Sequence, residues 1–400
     1  MTDNKSAERY YRKSSLTIKI FKYVAVLLLI VFLISCIVIF RRDITVQNIQ
    51  LLAKYISLDG SSSNYTEEFS VSSNDDSVPI MLRDNLGIIQ HNNISLYDLS
   101  GQKMFSYNYS YSAPAVTNDE HSIIVYDIKG KELSLFNSFS KIKTLTFEGG
   151  IACADIKDDT FAVISSEDSF RSVLSVYEFD SKSNDYVEIY KYKSSSVFLT
   201  SVSLSPNSRY VLTTSIEADN GNYTASAMIY DTLSSEQAPL YHSDILSELP
   251  VSAGFSDNGN SVYVITDSNV IFYNSHLEMT STYKFNQSKI SNFYTDNNNI
   301  ILTEKNNLAG KSMLLTCLSQ SGDIIFKENI PDEVVDICFG TSSIFALGKN
   351  GVYKISIDNQ KNISVTTTKI SEKYKHILSD TDNNCYVMNT SSVHRIEFSK

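Results

Sequence analysis

Four aspartates are the side chains of this sequence best suited to acid–base chemistry, because each lies in a run of strand-forming residues. They are Asp98, Asp127, Asp231 and Asp336. Hydrolases and lyases use such carboxylates as general acid and general base, provided that the fold brings two of them together. Sequence spacing pairs none of these four. Enzyme chemistry is therefore a hypothesis that depends on how the fold gathers distant residues.

The histidines have no metal-binding pattern, since no two show the i, i+4 spacing of a helical site. They are His91, His121, His242, His276, His376 and His394. The strings "TDNNNI" (295–300) and "DTDNNC" (380–385) lack the glycine and the terminal glutamate of an EF-hand calcium loop, so we interpret them as hairpin turns. Nucleophile-elbow, P-loop and dinucleotide motifs are missing from the sequence. We predict no catalytic residue, no metal and no cofactor.

Four cysteines each lie in an apolar, strand-like run: Cys153, Cys317, Cys338 and Cys385. Buried free thiols explain such positions better than disulfides do. Four residues are also too few for a disulfide scaffold in a domain of this size. Cys338 and Cys385 fall in neighbouring repeats, so they are the pair that could form a bridge.

The composition favours strands and argues against nucleic acid as a partner. The chain has 25 Tyr and 20 Phe, only 14 Gly and 6 Pro, no Trp, and a net charge of −11. Aromatic residues are enriched in strands, and an acidic chain lacks the basic face that phosphate binding requires. Tyrosine runs such as "YNYSY" (107–111) and "YKYK" (190–193) are expected to cover sheet faces. A tyrosine-rich rim could also bind glycan or peptide.

A repeat of about forty residues is the main structural signal in the sequence. Short strands with an aromatic or branched centre recur eight times, and successive strands begin 39, 41, 53, 43, 44, 38 and 42 residues apart. Their first residues are Ile94, Leu133, Leu174, Ala227, Val270, Leu314, Val352 and His394. A hairpin with an Asn-, Asp-, Ser- or Gly-rich turn precedes each of them. Four antiparallel strands per unit of this length are typical of a β-propeller blade.

We therefore predict an all-β fold, a β-propeller over residues 78–400, with eight blades favoured and seven possible if one unit is irregular. The last unit ends at the C-terminus with three strands. The segment "EEFSV" (67–71) could supply the fourth, which would remove an open sheet edge. A pair of β-sandwich domains is the less favoured alternative, because no linker interrupts the period.

An uncharged stretch, residues 23–40, predicts a transmembrane helix near the N-terminus. Its 18 residues span about 27 Å as a helix, which is close to the thickness of a bilayer core. Residues 1–22 hold six basic and two acidic residues. By the positive-inside bias this tail stays in the cytoplasm, so the C-terminal domain is expected outside it.

Two alternatives to an uncleaved anchor fit the residues less well. A cleavable signal peptide has a shorter apolar core, whereas this one continues to Phe40 and is followed by Arg41 and Arg42. Cys36 ends a lipobox-like string, but the residues after it stay apolar. Residues 41–77 are predicted to be a juxtamembrane helix, at 45–57 with Thr45 as its N-cap, and a polar linker.

Several segments together resemble a known bacterial family. They are "SIIVYDIKGKELSLF" (122–136), "GIACADIKDDTFAVIS" (150–165), "RSVLSVYEFD" (171–180) and "SLSPNSRYVLT" (203–213). The whole chain is similar to the membrane-anchored propellers of domain of unknown function 5711, found in Gram-positive bacteria, and it departs from their pattern at Ile128 and Lys129. The resemblance implies the propeller and the single anchor, and it supplies no catalytic residues. More loosely, the blades resemble WD40 and pyrroloquinoline-quinone-type repeats.

Three functional hypotheses follow. The first is a binding or scaffolding module of the cell envelope, held by a single-pass anchor in the cell membrane, which binds a protein or a cell-wall glycan through its propeller loops. The second is a ligand sensor coupled to a membrane partner, since a tail of 22 residues has no room for a signalling domain. The third is an enzyme that uses carboxylates in the propeller channel.

Overall fold

The structure is a computed structural model. It describes residues 21–24, 26–32, 35, 68–82, 85–138, 140–219, 222–245, 248–285, 290–296, 299–305, 312–357, 362–379 and 383–398. Contacts divide the chain into two units. One comprises Met1–Ser62 with Asp180–Asp185, and the other comprises Ser63–Phe179 with Tyr186–Lys400.

In the first unit, residues 21–24, 26–32 and 35 are helical, and their side chains are exposed. No helix among the described residues has both the length and the apolar character needed to cross a membrane. Several parts of the predicted anchor, namely residues 25, 33–34 and 36–40 with Cys36, lie outside the described residues. The predicted helix at 45–57 lies outside them as well.

The second unit consists of eight four-stranded antiparallel sheets. We number the strands in chain order and label the four positions of each sheet A to D. The A strands are β2 (Val78–Leu82), β6 (Pro114–Asn118), β10 (Ile151–Lys157), β14 (Phe198–Leu204), β18 (Pro250–Phe255), β22 (Asn292–Thr295), β26 (Val334–Phe339) and β30 (His376–Ser379). The B strands are β3 (Asn85–Ile89), β7 (Ser122–Asp127), β11 (Thr160–Glu167), β15 (Tyr210–Asp219), β19 (Ser261–Thr266), β23 (Asn299–Lys305), β27 (Ser343–Gly348) and β31 (Asn384–Met388).

The C strands are β4 (Asn93–Asp98), β8 (Glu132–Asn137), β12 (Phe170–Asp180), β16 (Asn222–Asp231), β20 (Asn269–Asn274), β24 (Met313–Ser319), β28 (Gly351–Ile357) and β32 (Ser392–Glu397). The D strands are β5 (Lys103–Asn108), β9 (Lys141–Thr146), β13 (Asp185–Ser194), β17 (Tyr241–Ile245), β21 (Met279–Lys284), β25 (Ile324–Ile330), β29 (Ile363–Lys369) and β1 (Glu68–Ser70). The eight recurring segments of the sequence are the C strands, and the predicted eight-bladed propeller is confirmed.

The core lies between neighbouring sheets. Eight clusters of buried apolar residues occur in the described part of the chain, one at each interface from sheets 1 and 2 round to sheets 8 and 1. Strands β3 and β7 are buried along their whole length. Because both faces of each sheet pack against another sheet, the B and C strands are continuously apolar rather than alternating. The tyrosine runs join this core: the Tyr109 and Tyr111 rings stack 4.6 Å apart.

Strand β1 closes the ring. It pairs antiparallel with β32, which places Glu68 opposite His394 and Phe69 opposite Val393. Phe69 belongs to the cluster between sheets 8 and 1. The last sheet thereby gains its fourth strand from the start of the domain, as expected from the segment "EEFSV", and its edge is paired.

Antiparallel pairing divides the connections between two faces of the propeller. The A–B and C–D turns lie on one face, which we call the A–B face. The B–C turns and the links from each D strand to the next A strand lie on the other, the B–C face. The A strands of neighbouring sheets contact one another, as β10 and β14 do, so they surround the central channel and point their C-terminal ends to the A–B face.

Candidate binding site at the channel mouth

A cavity of about 760 Å³ lies where the A strands end at the A–B face. The first six sheets all contribute lining residues, from Met81 in β2 to Asp296 just after β22. We call this cavity the mouth. Loops from many sheets meet at one end of a propeller channel, and concave sites formed from several elements are the usual place for ligands.

The mouth is strongly acidic. Six carboxylates line it, namely Asp119, Glu120, Asp155, Asp158, Asp257 and Asp296, and Lys157 is the one basic side chain among its lining residues. Like charges in a partly enclosed space repel one another and attract cations, and low-dielectric walls strengthen both effects. The arrangement therefore favours a positively charged occupant.

Asp155 connects three sheets at the mouth. Its Oδ2 accepts a hydrogen bond of 2.8 Å from the Leu204 amide in β14, and its Oδ1 lies 3.4 Å from the Thr117 hydroxyl in β6. Burial raises the pKa of Asp155 to about 6, although the amides of Leu204 and Ile156 and the charge of Lys157 oppose that rise. These donors hold the carboxylate in place without fully compensating its lost hydration.

Asp119 has one carboxylate oxygen without a partner. It follows β6, and its Oδ1 accepts hydrogen bonds from the amides of His121 and Ser122 at 2.8 and 2.7 Å. Its Oδ2 is buried and has no hydrogen-bond partner in the structure. A buried acceptor without a donor is unfavourable, so Asp119 adds to the energetic cost of the charged mouth.

Gln320 fixes the turns on the far side of the mouth. Its Oε1 accepts a 3.0 Å hydrogen bond from the Asp257 amide, and its Nε2 donates to the Asp296 carbonyl at 3.2 Å. Gln320 is itself buried. The A–B turns of sheets 5 and 6 are thus held together, which leaves the Asp257 side chain exposed to solvent.

A second cavity of about 320 Å³ lies on the same face between sheets 4 and 5, and we call it the side groove. Its aromatic lining comes from Tyr210, Tyr241, Phe255 and His276. The rings of Tyr241 and His276 meet edge to face with centroids 4.8 Å apart. Pro206 and Phe255 line both the side groove and the mouth, so the two cavities adjoin.

The four aspartates singled out in the sequence do not come together. Asp98 caps its own C–D turn by accepting from the Ser100 and Gln102 amides. Asp127 accepts from the Ala113 amide at 2.7 Å. Asp231 and Asp336 likewise bind partners elsewhere in the molecule, each in a different sheet.

Asp231 forms a two-pronged ion pair with Arg209, at 3.0 and 2.7 Å. Asp336 alone of the four lies on an A strand, where it accepts from the Ile377 amide at 3.0 Å, with His376 Nδ1 3.6 Å away. Asp98, Asp127 and Asp231 therefore accept hydrogen bonds at strand ends and turns. No two of the four aspartates form an acid–base pair.

Sequence reasoning missed the mouth, although its signal is present in the chain. Aspartates occur within two residues of the end of the A strand in sheets 2, 3, 5 and 6, at Asp119, Asp158, Asp257 and Asp296. The sequence predicts a hairpin after each of these A strands, and the antiparallel pairing of the A and B strands confirms it. A single turn sequence does not show where the turn lies in the fold. The propeller places the same turn of every blade around one channel.

Histidines and cysteines add no further centre in the part of the chain that the structure describes. No group of three or more His, Cys, Asp or Glu residues is placed there to hold a metal ion. No disulfide joins the four described cysteines, of which Cys317 and Cys385 are buried. Burial raises the pKa of Cys153, Cys317 and Cys338, which disfavours the reactive thiolate form of these three residues.

Eight radial sheets closed by an N-terminal strand around a lined channel define the protein as a β-propeller. The chain belongs to the Family of unknown function (DUF5711), whose model matches residues 60–398. No curated protein is similar enough to count as a match.

Solved propellers have a similar fold. The C-terminal WD40 domain of Sif2 has a TM-score of 0.57 at 11% identity, covering 84% of this chain and 98% of that one. Chaetomium thermophilum Sqt1 bound to the N-terminus of ribosomal protein L10 has a TM-score of 0.52 at 11% identity, covering 84% and 94%. BamB from Moraxella catarrhalis has a TM-score of 0.50 at 14% identity, covering 83% and 99%. At these identities the likeness shows the fold alone.

Proposed function

We propose that the protein is a non-enzymatic binding module of the cell envelope, anchored in the membrane by residues 23–40, and that its A–B face binds a partner protein. The observation that carries the proposal is the convergence of six sheets on one concave site, the mouth, with the side groove beside it. Protein interfaces have aromatic anchors in pockets beside polar groups, and the side groove and the mouth supply these two components.

The comparison with Sqt1 supports a protein partner. That propeller of similar fold binds the N-terminal segment of another protein. A rigid ring of sheets can hold a peptide segment without rearranging, and little conformational freedom is then lost in the module itself.

The sequence supports the anchor and its orientation. The uncharged run, the basic tail before it and the exposed apolar side chains of the helical residues, such as Leu28 and Phe32, suit a bilayer environment. Protease added to intact cells should therefore digest the propeller, while an epitope tag at the N-terminus stays protected. Protection of the propeller would contradict the proposed orientation.

A proximity-labelling experiment tests the binding role. A peroxidase fused to the C-terminus of the full chain marks its neighbours in living cells, and mass spectrometry identifies them. The wild type is compared with Asp257→Lys at the mouth and with Glu333→Lys on the B–C face, a matched charge inversion. We expect at least one neighbour to be lost with the first variant and retained with the second. Identical neighbours for all three chains would contradict a binding site at the mouth.

Glycan binding is the second candidate. The side groove combines aromatic rings with the hydroxyl and amide groups of Ser205, Asn258 and Asn260, a combination that suits sugar rings. Binding of purified cell-wall polymer to the full chain, abolished by Tyr241→Ala and unchanged by Asp257→Lys, would favour this candidate over a protein partner.

A further inference from the structure

We propose that the partner segment is an extended peptide that places a lysine or arginine side chain in the mouth and an apolar or aromatic side chain in the side groove. This inference rests on the proposed protein-binding function and names the chemistry of the partner.

The charge of the mouth carries the first step. Six carboxylates face one lysine there, and the structure gives the three exposed ones, Glu120, Asp158 and Asp257, no ion pair with a described residue. Asp155 is already held by the Leu204 amide, and Asp119 Oδ2 is buried, so the exposed carboxylates are the ones that a ligand can reach. An ammonium or guanidinium group would provide charge-assisted hydrogen bonds, which are roughly twice as strong as neutral ones.

The geometry of the carboxylates favours a side chain over a metal ion. A divalent cation needs several oxygens gathered at coordination distance, and the described residues contain no such group. The exposed carboxylates of Glu120, Asp158 and Asp257 also belong to the A–B turns of three different sheets. A long basic side chain can reach such dispersed acceptors, and a guanidinium can reach several at once because it has five donors.

The adjacency of the two cavities carries the second step. Since Pro206 and Phe255 border both, a residue close in sequence to the inserted cation would lie against the side groove. Tyr210, Tyr241 and His276 offer ring faces and edges to an apolar or aromatic side chain there. Arg209 flanks this groove but is paired with Asp231, so its charge is already largely neutralised.

A binding experiment tests the inference directly. Full-length protein in detergent is titrated into fluorescein-labelled glycine–serine peptides that carry two arginines and one phenylalanine, with two to four residues between the phenylalanine and the nearer arginine. Matched peptides replace both arginines by glutamine or the phenylalanine by alanine. Fluorescence anisotropy gives the Kd of each.

Variants of the protein separate the two cavities. Asp158→Asn and Asp257→Asn change exposed side chains, and Asn suits the left-handed backbone of Asp158, whose φ is 51°, so the double variant should fold. Its matched control, Glu333→Gln with Asp267→Asn, removes the same charge from the B–C face. Tyr241→Ala tests the side groove, with Tyr223→Ala, an exposed tyrosine at the B–C end of β16, as its control.

We expect the mouth variant to weaken binding of the arginine peptides about tenfold or more and to leave the glutamine peptides unchanged. Tyr241→Ala should weaken only peptides that contain phenylalanine. Equal affinity for the mouth variant and its control would mean non-specific attraction to an acidic protein and would overturn the inference. If the peptides fail to bind while proximity labelling still depends on Asp257, the proposed function stands and the cationic partner is wrong.

Discussion

Two carboxylates on opposite faces of the propeller, Glu167 and Asp155, have opposite surroundings. On the B–C face, Glu167 at the end of β11 receives two ammonium groups, from Lys193 and from Lys191, the latter at 3.0 Å. The pKa of Glu167 lies below its ordinary value. The main cause is the hydrogen bond from Lys193, and the hydrogen bond from Lys191 adds to it. On the A–B face, Asp155 has backbone amides as its closest donors, and burial raises its pKa to about 6.

The difference shows which charges the chain neutralises by itself. Lys349 and Glu333 form a further pair on the B–C face, at 2.6 Å, so two carboxylates of that face have lysine partners from the chain itself. The mouth has six carboxylates and one lysine. A folded protein keeps such an imbalance at a cost in stability, and sites of this kind are candidates for function.

The largest expected effect is on the pH dependence of stability. It tests the contrast between Asp155 and Glu167 directly. The folded pKa of Asp155, about 6, lies above the unfolded value of about 3.9. The folded chain therefore holds more protons between these values, and its stability falls as pH rises through that window. One pKa unit corresponds to about 1.4 kcal/mol, so ionised Asp155 lowers the free energy of unfolding by roughly 3 kcal/mol above pH 6.

Asp155→Asn should remove this slope. Urea unfolding at pH 4.5 and pH 7 measures it as the difference between wild type and variant at each pH. Glu167→Gln is the control from the other face: because the folded pKa of Glu167 is lowered, its contribution is present at both pH values and is lost only as pH falls below the ordinary value of about 4.3, so it adds no slope between them. Slopes of the same sign for the two residues would contradict the contrast.

The next largest effect concerns the shape of the mouth. A Cβ at Gly254 would lie 2.4 Å from Tyr263 Oη and 2.6 Å from its Cζ, and the Tyr263 ring is buried. Gly254→Ala should therefore lower the free energy of unfolding by about 2 kcal/mol through overpacking. A second change, Tyr263→Leu, should restore part of it. Full stability of Gly254→Ala alone in thermal unfolding would show that the wall of the mouth is compliant.

A smaller effect is expected from Glu167 at neutral pH. Its side chain is 9% exposed while its lysine partners are about one-third exposed, so Glu167→Gln should cost about 1 kcal/mol, largely by leaving two ammonium groups side by side. Denaturant unfolding at pH 7 measures this cost. High salt should reduce it, because exposed charges are screened. A cost that does not change with salt would argue against an electrostatic origin.

The smallest effect should come from the exposed pair on the same face. Lys349 and Glu333 are 58% and 46% exposed, and such pairs contribute between zero and about 1 kcal/mol. Lys349→Met should change the free energy of unfolding by less than about 0.5 kcal/mol. A larger loss would mean that the exposed ion pairs of the B–C face are a main source of stability.

The blades were predictable because their signal is local and repeated. Each C strand is a short apolar run after a hairpin, and its period of about forty residues survives the long extension at 210–231, where β15 and β16 each have ten residues. The closing strand was predictable for the same reason: the last unit lacks a fourth strand and "EEFSV" precedes the first. Repetition makes a register error in one unit visible against the other seven.

The site was not predictable, because it depends on distance across the ring rather than along the chain. Asp155 and Leu204 are 49 residues apart and Asp257 and Gln320 are 63 apart, and no local pattern connects them. The strand aspartates chosen from sequence were plausible catalytic groups, yet strand ends and turns use Asp98, Asp127 and Asp231 as caps and ion-pair partners. The propeller itself selects which acidic turns face the channel.

Photo-crosslinking from the two faces in living cells tests the central claim most directly. A photoreactive amino acid replaces Asn258 beside the side groove in one variant and Val251, an exposed residue at the B–C end of β18, in the other. We expect a covalent adduct with a partner protein from position 258 and none from position 251. Adducts from position 251 alone, or equally from both, would contradict the assignment of the A–B face as the binding face.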